Sequence, residues 1–199
     1  MSVANAVMNA VVQAILLGLI PFGWWLATAR SKASFFQWIG IKKPQVADGA
    51  RFWLFFVGST AVFCGIGLIL VPLLVNGEST AVAQFAGKGF SALVPALLFA
   101  FVQTGLGEEV FFRGFLGKRL GERFGFRTGN FLQALLFGLL HGVMFVGESG
   151  VLAAMAITIL TGTIGGLMGY MNEELAQGSI IPSWLMHGIS NLLSALVVM

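Results

Sequence analysis

An all-α, polytopic membrane bundle is the architecture this sequence predicts, and three observations carry it. Of 199 residues, 57% are hydrophobic and only 10% charged, with a mean hydropathy of +0.91. A soluble domain carries about 25% charged residues and needs a polar skin, so lipid is the solvent that fits. Apolar runs long enough to cross a bilayer, roughly 20 residues each, recur along the chain. No strand-like alternation competes with them, and within lipid a helix satisfies all of its own backbone groups. The length suits a single domain over 1–199, with a motif-bearing core at about 90–195.

About six transmembrane helices are expected. The first, 5–29, lacks Lys or Arg before it and is too long for a signal peptide. Its Asn5, Asn9 and Gln13 form an i, i+4, i+8 stripe suited to hydrogen bonding between helices. The second, 51–75, holds the only cysteine, Cys64, read as a small buried apolar residue with no disulfide partner. The third, 90–107, continues as helix through GEEVFFRGFLGKRL, a stretch that no proline interrupts. There Leu116, Leu120 and Phe124 lie opposite Lys118, Arg119 and Glu122, a short amphipathic cytoplasmic extension suited to the inner membrane surface. The fourth, 130–146, is short and needs help from its neighbours. The fifth, 150–171, carries overlapping GxxxG patterns at Gly162, Gly165, Gly166 and Gly169, which favour close backbone packing. The sixth is 180–198, and Glu148, Glu173 and Glu174 are assigned to solvated loops.

Charge sets the expected topology. Arg30, Lys32, Lys42, Lys43 and Arg51 follow the first span, and Arg113, Lys118, Arg119, Arg123 and Arg127 follow the third. The loops at 76–89 and 147–149 contain only Lys88. By the positive-inside rule both basic segments are cytoplasmic and the N-terminus is outside, in an integral protein of the plasma (inner) membrane. The same reasoning absorbs the pI near 9.4: the expected partner is the lipid bilayer, and no nucleic acid is expected. No oligomeric state is assigned.

Ionisable groups at membrane depth are costly and point to function. Glu108, Glu109 and Arg113 sit at the end of the third span, His141 in FGLLHGVMF of the fourth, and His187 in WLMHGISN of the sixth. His187 and Asn191 are spaced i, i+4 and share a helical face, as do Glu109 and Arg113, while Glu108 points about 100° from Glu109. His187 lies roughly 10 Å, and His141 about 16 Å, from the cytoplasmic ends of their spans. Glu108, His141 and His187 are therefore expected to meet in a wet cavity of the inner leaflet, open to the cytoplasm. Simpler readings stand beside this one: Glu109 and Arg113 as an ion pair at a helix end, and each histidine as an interhelical hydrogen bonder. Phe137 is read as packing that positions His141.

Three motifs in this order, EExxxR as EEVFFR, FxxxH as FGLLH and HxxxN as HGISN, resemble the CAAX-protease and bacteriocin-processing (CPBP, or Abi) family of intramembrane proteases. The resemblance spans roughly 90–195. It implies that Glu108 and His141 activate the attacking water, that His187 and Asn191 stabilise the oxyanion, and that Glu109 and Arg113 brace the site. His and Asn side chains suit the oxyanion role. A catalytic zinc would want three protein ligands plus water. Glu108 or Glu109 with His141 and His187 could supply them, but HExxH is absent and an oxyanion role for His187 leaves zinc one ligand short. The expectation is a metal-free, glutamate-type endopeptidase acting on membrane-associated peptides or proteins, prenylated CAAX-type substrates included, with zinc as the alternative. Two other functions compete. One is a proton-coupled transporter or channel relaying through Glu108 and His141, against which the absence of inverted repeats counts. The other is a proteolytically silent scaffold or immunity-type protein, against which the intact motifs count.

Overall fold

Among the residues described by the computed structural model, 2–75 and 77–199, helices and turns make up all the regular structure. Helix α1 (Val3–Thr28) begins where the Ser2 hydroxyl accepts from the Asn5 backbone N–H at 3.2 Å, satisfying one of the helix's unpaired first-turn donors. The short α2 (Phe35–Ile39) stops at Gly40, whose φ of 92° needs a residue without Cβ. Helix α3 (Gly49–Leu74) is capped by Asp48, which accepts from Arg51 N–H at 3.0 Å. There follow α4 (Gly89–Phe124), α5 (Phe126–Val143), α6 (Val146–Leu175) and α7 (Ile181–Val198). Gly150, at φ 80°, breaks the first turns of α6, so its regular span starts where the sequence placed it.

Helices α1, α3, α4, α6 and α7 are long and apolar enough to cross a membrane, and the chain is an integral membrane protein. The expected fourth span is present as α5 but is not among these five. Its 18 residues include Arg127, Asn130, Gln133 and His141, which dilute its hydropathy. The polar groups turn inward: Asn130 Nδ2 donates to the Gly166 carbonyl at 2.9 Å, and buried Gln133 donates to the Gly165 carbonyl at 3.0 Å. Phe131, Leu139 and Val143 stay exposed on the opposite face. Helix α5 is thus supported by α6, its most extensive neighbour, as the short span required.

Small residues set that closeness. Gly138 and Gly142 of α5 lie on Thr158 and its neighbours in α6, and a Cβ at Gly142 would collide with the Thr158 hydroxyl. Gly165 of the GxxxG segment faces the Arg113 and Phe137 side chains, where a Cβ would meet them at 3.1 and 3.2 Å. Such contacts let two backbones and a charged side chain share one layer.

Helix α4 is the element that departs most from regular α geometry. It is α-helical over Leu93–Leu98, then opens into π-helical turns over Phe99–Leu106 and Glu109–Gly117, and returns to α over Lys118–Phe124. Such widened turns are rare and recur at functional sites. The amphipathic extension is therefore the unbroken end of α4, and part of its apolar face is covered by protein. Leu116 packs on the cluster of Ile39, Val110, Phe115 and Ile180, and the Arg119 guanidinium lies 4.2 Å over the Trp38 ring.

The two ends of the bundle are closed differently. At the basic end, Ile180 N–H donates to the Gly40 carbonyl at 2.9 Å and the Ser179 hydroxyl to the Lys42 carbonyl at 2.6 Å. Lys118 pairs with Glu173 at 2.6 Å and donates to the Gly178 carbonyl at 2.9 Å, so Glu173 is part of a clasp and not a free loop carboxylate. At the other end, Gly87 N–H donates to the carbonyl of Val198, the last residue of α7, and Gly89 N–H to that of Met199 just beyond it, each at 3.0 Å, while Phe85 is fully buried beneath them. Helix α1 leans on α4, where Gln103 donates to Gln13 at 3.1 Å; this is the interhelical bond anticipated for the polar stripe.

Candidate active site

The ionisable groups of α4, α5 and α7 meet inside the bundle. Glu109 is fully buried; its Oε1 lies 2.9 Å from Arg113 Nη1 and 3.0 Å from His187 Nδ1. The i, i+4 pair seen in the sequence therefore faces inward rather than toward headgroups. Arg113, also buried, rests 4.1 Å over the Phe137 ring and donates toward the Met168 sulfur at 3.5 Å. Removing one partner of such a pair would leave an uncompensated buried charge, worth about 3–5 kcal/mol.

Both histidines are held by Nδ1. His141 Nδ1 lies 2.8 Å from the Phe137 carbonyl of its own helix. A carbonyl only accepts, so Nδ1 carries the proton and Nε2 of the neutral ring presents a lone pair. His187 Nδ1 donates to the Glu109 carboxylate. The two Nε2 atoms then converge on Glu108, each 3.8 Å from its Oε2. That gap is too long for a direct hydrogen bond and suits an intervening water. Glu108 Oε2 is buried and makes no hydrogen bond to protein.

Phe137 organises the group. Its ring centroid is 4.3 Å from that of His141, 6.2 Å from that of His187 and 4.9 Å from that of Phe112. With the Arg113 contact and the carbonyl bond to His141, one residue touches three of the charged or polar groups of the site.

A cavity of about 210 Å³ adjoins His141 and His187, room for several waters. Its walls come from α3, α5, α6 and α7, and include Cys64, Met168, Ser190 and Asn191. Cys64 is only half-buried and donates to the Ser190 hydroxyl at 3.3 Å, so it faces this cavity and is not a sealed core residue. Asn191 reaches the same space, with its Nδ2 bonded to Thr104 Oγ1 at 2.8 Å.

Could this donor set hold a metal? Among the described residues, no group of three or more His, Cys, Asp and Glu side chains is placed to hold one.

A family model described as type II CAAX prenyl endopeptidase Rce1-like matches residues 90–193. The chain belongs to this Rce1-like family. Neither a curated protein nor a solved structure matches it. The Rce1-like region begins with α4 and ends within α7, so it contains Glu108, Glu109, Arg113, Phe137, His141, His187 and Asn191; α1–α3 lie outside it. It agrees with the resemblance read from the three motifs, and it places the chain with membrane proteases of the CAAX type. The sequence reading placed neither Thr104 nor Cys64 beside this site. Thr104 lies four residues before Glu108, a spacing that could have flagged it. Cys64 lies in α3, outside every motif, and carried no comparable signal.

Proposed function

We propose that this chain is a metal-free intramembrane endopeptidase that uses Glu108 and His141 to activate water. The observation that carries the reading is the approach of both histidine Nε2 atoms to Glu108 Oε2, 3.8 Å each, beside a cavity large enough for water and a peptide group. A water bridging Glu108 Oε2 and His141 Nε2 gives up its proton there as its oxygen attacks the scissile carbonyl carbon. The developing oxyanion takes hydrogen bonds from His187 Nε2–H and Asn191 Nδ2–H. For that role His187 carries protons on both nitrogens; its Nδ1–H stays on Glu109. Two cations, Arg113 and His187, then balance two carboxylates, Glu108 and Glu109. When the C–N bond breaks, the proton taken from water passes to the leaving amine.

Glu109 and Arg113 act by bracing His187, and Phe137 by fixing His141. The substrate is a membrane-associated peptide or protein, with prenylated CAAX-type C-termini the first class to try. The gathering of the basic segments at one end of the bundle supports an N-terminus outside and a site open to the cytoplasm, in a plasma (inner) membrane.

The test is hydrolysis by purified protein in liposomes, with farnesylated and unprenylated model peptides. Wild type is expected to cleave, and Glu108→Gln and His187→Ala to lose cleavage while keeping their helical content and monodispersity. Cleavage undiminished in Glu108→Gln would end the reading, and proton flux without cleavage would favour a transporter. A zinc chelator is expected to leave the rate unchanged; loss of activity that added zinc restores would overturn the metal-free mechanism.

A further inference from the structure

The widened turn of α4 and one face of α7 meet at three points. Trp184 Nε1–H donates to the Phe101 carbonyl at 2.6 Å, Gly188 lies so near the Phe101 ring that no Cβ fits, and Asn191 Nδ2 donates to Thr104 Oγ1 at 2.8 Å. Residues 184, 188 and 191 share a helical face, so α7 is registered on this turn along three layers.

The π geometry determines what Thr104 can do. Its hydroxyl reaches back five residues and donates to the Phe99 carbonyl at 2.8 Å. A hydroxyl has one proton, so with that proton engaged Thr104 Oγ1 can only accept. The side chain facing it must then present a donor. For Asn191 this selects the NH₂ end of the amide and disfavours the flipped form, in which its carbonyl oxygen would face another acceptor. Thr104 is itself buried, at 9% exposure, so water does not compete freely for the position. Nδ2 carries a second hydrogen, and Asn191 borders the cavity beside His187.

We propose that Thr104 is a positioning residue for the hydrolysis. Oriented by the Phe99 carbonyl of the wide turn, its hydroxyl holds the Asn191 amide with its second N–H toward the oxyanion. Without it the amide is free to turn its carbonyl to the developing negative charge, which repels it. This inference rests on the oxyanion reading of Asn191, and the experiment separates the two.

Steady-state cleavage of a farnesylated CAAX-type model peptide is compared for wild type, Thr104→Val, Thr104→Cys, Thr104→Ser, Asn191→Ala and the Thr104→Val/Asn191→Ala double variant in liposomes. Losing one oxyanion donor outright typically lowers kcat by about 10²–10³. Losing only its orientation should lower kcat by about tenfold, with KM unchanged, in Thr104→Val. Thr104→Cys, a weak acceptor of similar volume, should behave alike if the valine variant does not fold. Thr104→Ser restores the hydroxyl and should stay within about twofold of wild type, and the double variant should be no slower than Asn191→Ala alone. Wild-type kcat in Thr104→Val and Thr104→Cys, with Asn191→Ala impaired, overturns this proposal alone. Wild-type kcat in Asn191→Ala overturns the oxyanion reading and this proposal with it. Equal losses in the serine and valine variants mean that the hydroxyl is not the operative group, and also overturn it.

Discussion

Glu108 and Glu109 are adjacent, chemically identical and carried by the same widened helix, yet the protein treats them in opposite ways. Glu109 is fully buried, with one oxygen held by Arg113 at 2.9 Å and His187 at 3.0 Å. Glu108 retains partial exposure, and its Oε2 meets only the two imidazole nitrogens, at 3.8 Å, with no direct hydrogen bond from protein. One carboxylate is fixed by its surroundings, and the other is left to interact with whatever enters. The histidines differ at Nδ1: His187 is tied there to the braced carboxylate and His141 to a backbone carbonyl, while both Nε2 atoms stand 3.8 Å from Glu108. Rigid support on one side and an unengaged acceptor on the other are what a preorganised hydrolytic site requires.

The largest expected effect breaks the reactive side. Glu108→Gln keeps shape and removes the charge, and should lower the cleavage rate about 10³-fold or more, equivalent to about 4 kcal/mol of barrier. Because Glu108 Oε2 makes no direct protein hydrogen bond, the unfolding temperature in detergent should hardly move. A Glu108→Gln protein that unfolds early while its folded fraction still cleaves would reverse the assignment of the two glutamates.

The braced side should fail in the other observable. Glu109→Gln leaves Arg113 buried beside a neutral amide, and loss of one partner of such a pair costs about 3–5 kcal/mol. Thermal or denaturant unfolding in detergent should show that loss directly. Arg113→Met, which leaves Glu109 without its guanidinium partner, should be destabilised comparably. A Glu109→Gln variant as stable as wild type would mean that the buried pair does not brace the site.

Much of this contrast was legible in the sequence. The i, i+4 spacing paired Glu109 with Arg113 and turned Glu108 away from Glu109, and depth arithmetic put His141 and His187 in the same half of the membrane. Other parts were hidden for physical reasons. The Thr104 bond to a carbonyl five residues back exists only because α4 widens to π geometry; the i, i+4 spacing to Glu108 could flag the residue but not this bond. The polar inner face of α5 is apparent only once Asn130 and Gln133 find the α6 carbonyls of Gly166 and Gly165. The cavity position of Cys64 depends on how α3 docks against α7, a tertiary fact without local signature. Glu173 reads as a loop carboxylate until the fold brings it to Lys118, 55 residues away in the chain.

That last pair gives the smallest expected effect and the sharpest control on the comparison. Lys118–Glu173 is as short as any ion pair in the site, at 2.6 Å, but its side chains remain 14% and 36% exposed against 1% and 0% for Arg113–Glu109. If distance governed strength, the two would matter equally. If burial governs, water screens the clasp, and exposed pairs contribute about 0.2–1 kcal/mol. Lys118→Met keeps much of the aliphatic stem and forfeits the charge and the bond to the Gly178 carbonyl. It should lower stability by about 1 kcal/mol and leave kcat unchanged. A loss matching that of Glu109→Gln would show that the clasp at the basic end, and not the buried pair at its centre, holds α4 in register with α7.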